Sequence, residues 1–251
     1  MIELREGERL DDLRRNGAKI LQNPALFCFG MDAVLLAAFS MACLRGGSRV
    51  LDLGCGNGVI PILMDERWKQ RSGGVIHFTG LEINPRSCSL AERSVLLNGE
   101  EAEISILEGD LREVASLFQP ASFNLVTSNP PYMIGGHGLT GKNEALTIAR
   151  HELLCTLEDV AAAASFVLAP GGKFCLVHRP FRLADLFRAL DRHGLEPKRL
   201  RMVHPFADKP PNMVLLEAVK GGKPRLSCES PLIIYEKPGQ YTREVRELYE
   251  G

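Results

Sequence analysis

From residue 49 onward, short runs of strand-forming residues alternate with longer stretches of helical pattern. This alternation restricts the fold more than any other feature, because strands linked through helices lie parallel in one sheet with helices on both faces. The pattern predicts strands at 49–54, 75–83, 103–107, 123–128 and 173–178, and helices at 59–69, 86–98, 111–118, 153–168 and 181–193. Ala169-Pro170-Gly171-Gly172 reads as the turn that stops the helix before the fifth strand. Two last strands, 198–204 and 213–219, are joined by a Pro-rich turn without a helix, so one of them runs antiparallel. The expectation is an α/β fold with a mostly parallel seven-stranded sheet and an antiparallel last strand. No repeat or linker divides the chain. Residues 1–48 read as an N-terminal extension packing on an α/β domain of residues 49–251.

Bulk properties narrow the class. Among 251 residues, 45% are hydrophobic and 24% charged, as in an ordinary soluble domain. The opening Met1-Ile2-Glu3-Leu4-Arg5-Glu6 is charged where a signal peptide needs an apolar core. No apolar run approaches the ~20 residues of a membrane span. A cytoplasmic protein is expected. The seven cysteines are scattered without a CxxC pair, which suits reduced thiols and no metal site. His151-Glu152 begins like a zinc-protease motif, but Cys155 stands where the second histidine belongs. Net charge is −1, yet Lys198, Arg199, Arg201, Lys209, Lys220, Lys223 and Arg225 crowd one stretch. That stretch is either a solvated face or a basic contact surface.

Asp52-Leu53-Gly54-Cys55-Gly56-Asn57-Gly58 joins the first strand of the alternation to its helix. Glycines let the backbone turn sharply and approach a ligand, and the helix start beyond offers unpaired N–H groups. The spacing is neither G-x-G-x-x-G nor a phosphate-binding loop ending in Gly-Lys-Ser/Thr. Asp52 beside the glycines suits a cationic, amine-bearing ligand better than a pyrophosphate. A loop of this kind can also merely turn a strand into a helix.

The run Val50-Leu51-Asp52-Leu53-Gly54-Cys55-Gly56-Asn57-Gly58 resembles motif I of class I S-adenosylmethionine-dependent methyltransferases. The resemblance implies a Rossmann-like fold, S-adenosylmethionine as cofactor, and an acidic residue at each of the next two strand ends. Glu82 and Asp110 stand there. In such enzymes the first carboxylate accepts the ribose hydroxyls and the second contacts the adenine amino group. Ile83 and Leu111, which follow them, join Gly54, Cys55, Gly56, Asn57 and Gly58 as implied cofactor contacts. Each acid could instead cap a helix.

Asn129-Pro130-Pro131-Tyr132 follows the fourth predicted strand. Proline cannot donate to a sheet ladder, so the strand ends there. The tetrapeptide resembles the [D/N/S]-P-P-[Y/F/W] motif of methyltransferases acting on planar amino groups. An exocyclic amino nitrogen is a poor nucleophile because its lone pair is delocalised. The Asn129 side-chain oxygen and the Pro130 carbonyl are candidate acceptors for its two N–H bonds. The prolines hold those acceptors in place before substrate arrives. Tyr132 offers a face for a base, a stack worth roughly 1–3 kcal/mol. The Gly-rich stretch 133–143 reads as a loop able to close over the base.

The flanks look like those of bacterial tRNA1(Val) adenine-37 N6-methyltransferases. They include Lys19-Ile20-Leu21-Gln22-Asn23-Pro24, Phe27 to Ala37, Ile148 to Glu152, Leu176 to Pro180 and Pro231 to Tyr235. This resemblance implies a tRNA substrate, with Asn129, Pro130, Pro131 and Tyr132 as the catalytic set and Asn129 also beside the cofactor. Gly30 and Asp32 then fall near the cofactor's methionine end, although Asp32 also reads as a helix cap. Arg179, Arg182, Lys198, Arg199 and Arg201 become candidate RNA contacts. The same chemistry on an rRNA base, a DNA adenine or a protein glutamine is the alternative. An inactive, cofactor-binding RNA scaffold is another.

Overall fold

Residues 3–26, 28–71, 73–130 and 155–250 are described by a computed structural model. An antiparallel hairpin of β1 (Arg9–Asp12) and β2 (Lys19–Gln22) precedes helix α1 (Met31–Ser40). The alternating region then runs β3 (Arg49–Leu53), α2 (Val59–Lys69), β4 (His77–Glu82), α3 (Pro85–Asn98), β5 (Ile104–Glu108), a short 3-10 turn, α4 (Val114–Leu117) and β6 (Phe123–Ser128). It continues through α5 (Leu157–Val167), β7 (Leu168–His178), α6 (Leu183–Arg192), β8 (Leu195–His204) and β9 (Met213–Lys220). Local chemistry sets several of these ends. Asn84 caps α3 by accepting from the amides of Arg86 and Ser87, with Pro85 next, and Gly99 ends the helix at φ 68°. Thr156 and Asp159 form a reciprocal capping box at the start of α5.

The seven long strands lie in the order β5-β4-β3-β6-β7-β9-β8. All neighbours are parallel up to β7, and β9 runs antiparallel to both β7 and β8. The expected antiparallel last strand is therefore present, but it sits inside the sheet. Helix α6 carries the chain from β7 past one vacant strand position to β8, and the Pro-rich turn brings β9 back into it.

The structure departs from the sequence reading in three places. Ser227–Cys228 (β10) and Leu232–Ile233 (β11) both pair parallel with β8, so among the described residues the sheet has nine strands where seven were expected. The expected turn at 169–172 lies within β7. There the pairing to β6 slips between Phe123–Leu168 and Leu125–Lys173, and Gly171 takes φ 76°. The extension is ordered by its hairpin, a feature that its sequence did not suggest. After β11, β12 (Tyr235–Lys237) and β13 (Gln240–Tyr241) form a small hairpin that leads into α7 (Arg243–Glu250).

Alternate side chains of the strands feed two cores, one on each face. Val50, Leu125, Cys175, Val177 and Leu215 pack with α1, α2 and the hairpin. Leu51, Val126, Phe174, Leu176 and Leu216 pack with α5 and α6. Among the described residues no helix is long and apolar enough to cross a membrane. Phe174 is 2% exposed in the second core. Phe174→Ala should lower unfolding free energy by about 3–5 kcal/mol, read as a lower urea midpoint with an unchanged slope.

Candidate functional site

Strand order reverses at β3, whose chain continues to β4 on one side while β6 lies on the other. In open α/β sheets such a switch point opens a crevice beyond the carboxyl ends of the strands. The predicted site residues converge there. Asp52 pairs in register with Gly80 and Thr127, Leu53 with Leu81 and Ser128, and Glu82 with Glu108.

The glycine loop leaves β3 with Gly54, Gly56 and Gly58 at φ 73°, 56° and 82°, a left-handed path that side chains resist. Among the described residues, a Cβ on Gly54 or Gly56 would meet no atom within 4 Å, so the backbone is open to them on that side. At Gly58 the same atom would lie 3.2 Å from the Ala91 methyl group of α3. The amides of Gly54 and Cys55 both donate to the Leu81 carbonyl, at 2.8 and 3.1 Å. Cys55 points into the protein over Gly80, where an added Cβ would lie 2.6 Å from its sulfur. Burial, followed by the Asp52 and Glu82 carboxylates, pushes its thiol well above the usual range. Asn57 also faces inward, donating to the Leu21 carbonyl of β2 at 3.2 Å.

Three acids behave differently. Asp52 is 1% exposed. Its Oδ1 accepts from the Thr127 hydroxyl at 2.7 Å, while its buried Oδ2 has no partner among the described residues. Burial raises this carboxyl to about 7; the Thr127 bond opposes the rise and Glu82 adds to it. Glu82 accepts from the Gly56 amide and the Asn84 amide, each at 2.9 Å, and so ties the glycine loop to the start of α3. Asn84 is the helix cap, so the capping reading does not apply to Glu82. It does apply to Asp110, which caps the 3-10 turn at Leu111–Glu113. The Arg112 side chain bonds the Asp110 carboxylate and holds it below the usual range. Ile83 is exposed at the end of β4, and Leu111 is half-buried against the second core.

Asn129 and Pro130 emerge at the end of β6, Asn129 half-buried and Pro130 buried. Ser128 donates to the Leu53 carbonyl at 2.9 Å. Together with the Thr127 bond it fixes the strand end against the glycine loop. Neither Thr127 nor Ser128 was singled out from the sequence; their signal is polarity at the end of an otherwise apolar strand. Pro131, Tyr132, the 133–143 stretch and residues 148–152 lie outside the described residues. Gly30 occupies the N-cap position of α1. Asp32 lies two residues further on, with its carboxylate accepting from the adjacent Ala33 amide, so it is not the cap.

The basic candidates divide. Arg179 and Arg182 follow β7 at the site edge of the sheet, where Arg179 donates to the Asn212 carbonyl and Arg182 pairs with Asp185. Arg199 turns inward instead. It bonds Glu217, Glu229 and the Phe39 carbonyl, with its guanidinium 3.8 Å from the Phe39 ring centroid. Arg201 bonds the Ser230 carbonyl and Glu244. Lys198 lies in the first half of β8, away from the site edge. Cys43, Cys175 and Glu217 come together despite their separation in sequence, but Glu217 is already paired with Lys173 and Arg199.

The methyltransferase small domain family matches residues 18–189. A Porphyromonas gingivalis protein named "tRNA1(Val) (adenine(37)-N6)-methyltransferase" is 30% identical over 227 residues, covering 88% of this chain and 86% of the relative. A protein of the same name from Aeromonas salmonicida is 30% identical, with 85% and 84% covered. Among solved structures, one from Agrobacterium tumefaciens described as a predicted O-methyltransferase superposes with TM-score 0.68 at 25% identity, covering 87% of this chain and 95% of that one. TrmN from Thermus thermophilus shares the fold at TM-score 0.53 and 24% identity, covering 75% and 48%. The sheet order and switch-point loop are those of class I S-adenosylmethionine-dependent methyltransferases, and the chain belongs to the methyltransferase small domain family, alongside the bacterial tRNA1(Val) (adenine(37)-N6)-methyltransferases.

Proposed function

We propose that this protein transfers a methyl group from S-adenosylmethionine to the N6 nitrogen of an adenine in tRNA. The observation that carries the reading is the anchoring of Asn129 and Pro130 beside the glycine loop through Thr127 and Ser128. The names of the relatives supply the nucleic acid and the nitrogen.

The site suits the cofactor on two counts. The orphaned, buried oxygen of Asp52 favours a ligand carrying positive charge, and the open side of Gly54 and Gly56 leaves the loop backbone within reach. Asp52, Glu82, Ile83, Asp110, Leu111, Gly30 and Asp32 are the side chains and backbone assigned to hold it. Cys55, Asn57 and Gly58 contribute through the backbone alone. Bound there, S-adenosylmethionine supplies a methyl group activated by a sulfonium. The chain's own task is positioning. Asn129 and the Pro130 carbonyl accept from the two N–H bonds of the adenine amino group and orient its lone pair. Pro130, buried with φ fixed by its ring, keeps those acceptors from reorganising during transfer. Arg179 and Arg182 are the basic residues at this edge assigned to the RNA backbone.

The direct test is mass spectrometry of nucleosides from tRNA treated with the protein and labelled methyl donor. N6-methyladenosine is expected; label in a guanosine, in protein glutamine, or nowhere would overturn the reading. Asn129→Ala should lower kcat at least about a hundredfold, the scale of one lost preorganised contact. Calorimetry should show cofactor affinity within about twofold of wild type; parallel loss of both would move Asn129 into the cofactor site.

Asp52 adds a pH signature. Its carboxyl titrates near 3.8 when unfolded and about 7 in the native protein. Between those values the native state holds a proton that the unfolded chain has released, so this group's contribution to stability falls as pH rises and levels off above about 7. Asp52→Asn removes that slope. Urea titrations from pH 4.5 to 8 should show wild type losing stability relative to the variant, and identical slopes would exclude a perturbed Asp52.

A further inference from the structure

A cavity of about 160 Å³ lies between the first hairpin, the start of α1 and the C-terminal segment. Its lining combines the aromatic Phe29, Tyr241 and Tyr249 with the charged Asp12 and Arg14. Tyr241 and Tyr249 end a ladder of four rings. Phe206 lies 5.5 Å from Tyr235, Tyr235 lies 5.2 Å from Tyr241, and Tyr241 lies 5.6 Å from Tyr249. The last two pairs are stacked, at 20° and 6°. None of the four residues is fully buried, so the ladder is a surface feature resting on the core through Val245 and Ile234. Burial, the phenols of Tyr241 and Tyr235, and the Asp32 carboxylate push the Tyr249 hydroxyl up to about 12, which keeps it a hydrogen-bond donor. Arg14 is exposed, with a left-handed backbone at φ 55° and its amide donating to Asp12 at 2.6 Å.

The cavity adjoins the site without being part of it. Phe29 precedes Gly30, and its amide donates to Gln22 at 3.1 Å. Leu21, the neighbour of Gln22, accepts from Asn57 of the glycine loop. A bonded path of a few residues thus joins the cavity wall to the cofactor loop. The volume is below the roughly 300–1,000 Å³ that takes drug-sized ligands, and it suits a single ring system. Aromatic walls, one donor, one carboxylate and an exposed cation in the lining match a base and its phosphate. Unpaired RNA bases are held in this way, by stacking on aromatic rings beside basic side chains.

We propose that this cavity is a second nucleobase site, which takes an unpaired base of the substrate RNA other than the one methylated. The base lies against Phe29, Tyr241 and Tyr249, its edge meets Asp12 and the Tyr249 hydroxyl, and Arg14 takes the adjoining phosphate. The inference rests on the tRNA reading above, and the experiment separates the two. Wild-type protein that neither methylates nor binds tRNA overturns both. Once methylation is established, Tyr249→Leu and Arg14→Ala are compared with wild type. Loss of one base stack should raise KM for tRNA about tenfold in Tyr249→Leu, and loss of one phosphate contact should raise it severalfold in Arg14→Ala. KM for the cofactor and Tm should stay near wild type, and Tyr249→Phe should retain most tRNA affinity. Arg14 is exposed, so its variant carries the test if Tyr249→Leu fails to fold. Ultraviolet cross-linking of wild type to tRNA should place RNA adducts on Phe29, Tyr241 or Tyr249. Unchanged KM for tRNA in the folded variants, or adducts confined to other segments, overturns this proposal and leaves the methyltransfer reading standing.

Discussion

The hydroxyl of Thr127 donates to a carboxylate that the sheet has sealed from water, and the site is arranged around that bond. It joins β6 to β3 at the place where the strand order reverses, one residue before Ser128 adds a second tie to Leu53. One oxygen of Asp52 is satisfied and the other is not. A buried polar atom without a partner destabilises a fold by about 1–3 kcal/mol. Two routes relieve that strain: a proton, which burial already favours, or a cation brought by a ligand. The fold thus holds a group whose charge state depends on what occupies the crevice. Natural domains tolerate such local conflict chiefly at functional sites.

The alternation of strands and helices was legible because it depends on periodicity, which each segment carries by itself. Helix α2 and strand β6 fall where the pattern put them. What escaped depends on partners distant in sequence. Two-residue strands such as β10 and β11 have no period to detect; they exist because β8 offers an edge. The bulge in β7 is not legible either, since proline and paired glycines signal both a loop and a slipped ladder.

The site shows the same division. Asp52, Glu82 and Asp110 were legible as acids at successive strand ends, although only the contacts show that Asp110 is also a cap. The arginines after Pro197 do not behave as a group. A charge run in sequence does not say which face of a strand each residue takes. On β8, Arg199 turns toward α1, where Glu217 lies opposite it in register and the Phe39 ring covers its plane. There it packs and pairs as core arginines do, and its charge is already answered. Arg179 and Arg182 are bonded as well, to Asn212 and Asp185, and differ in place, since they follow β7 at the crevice edge.

The glycine loop depends on clamps from both directions. Three left-handed residues in five lose much conformational freedom on folding, and an unrestrained loop of this kind would sample many paths. Glu82 fixes it from β4 through the Gly56 amide, and Asn57 fixes it from β2 through the Leu21 carbonyl. The β2 strand is itself docked on α3. The Leu21 amide donates to Ser94, and Asn98 exchanges two bonds with the backbone of Lys19. Residues that precede the alternating region therefore help to shape the loop that opens it. Without β2, the buried amide of Asn57 would lose its acceptor and one side of the crevice would lose its support.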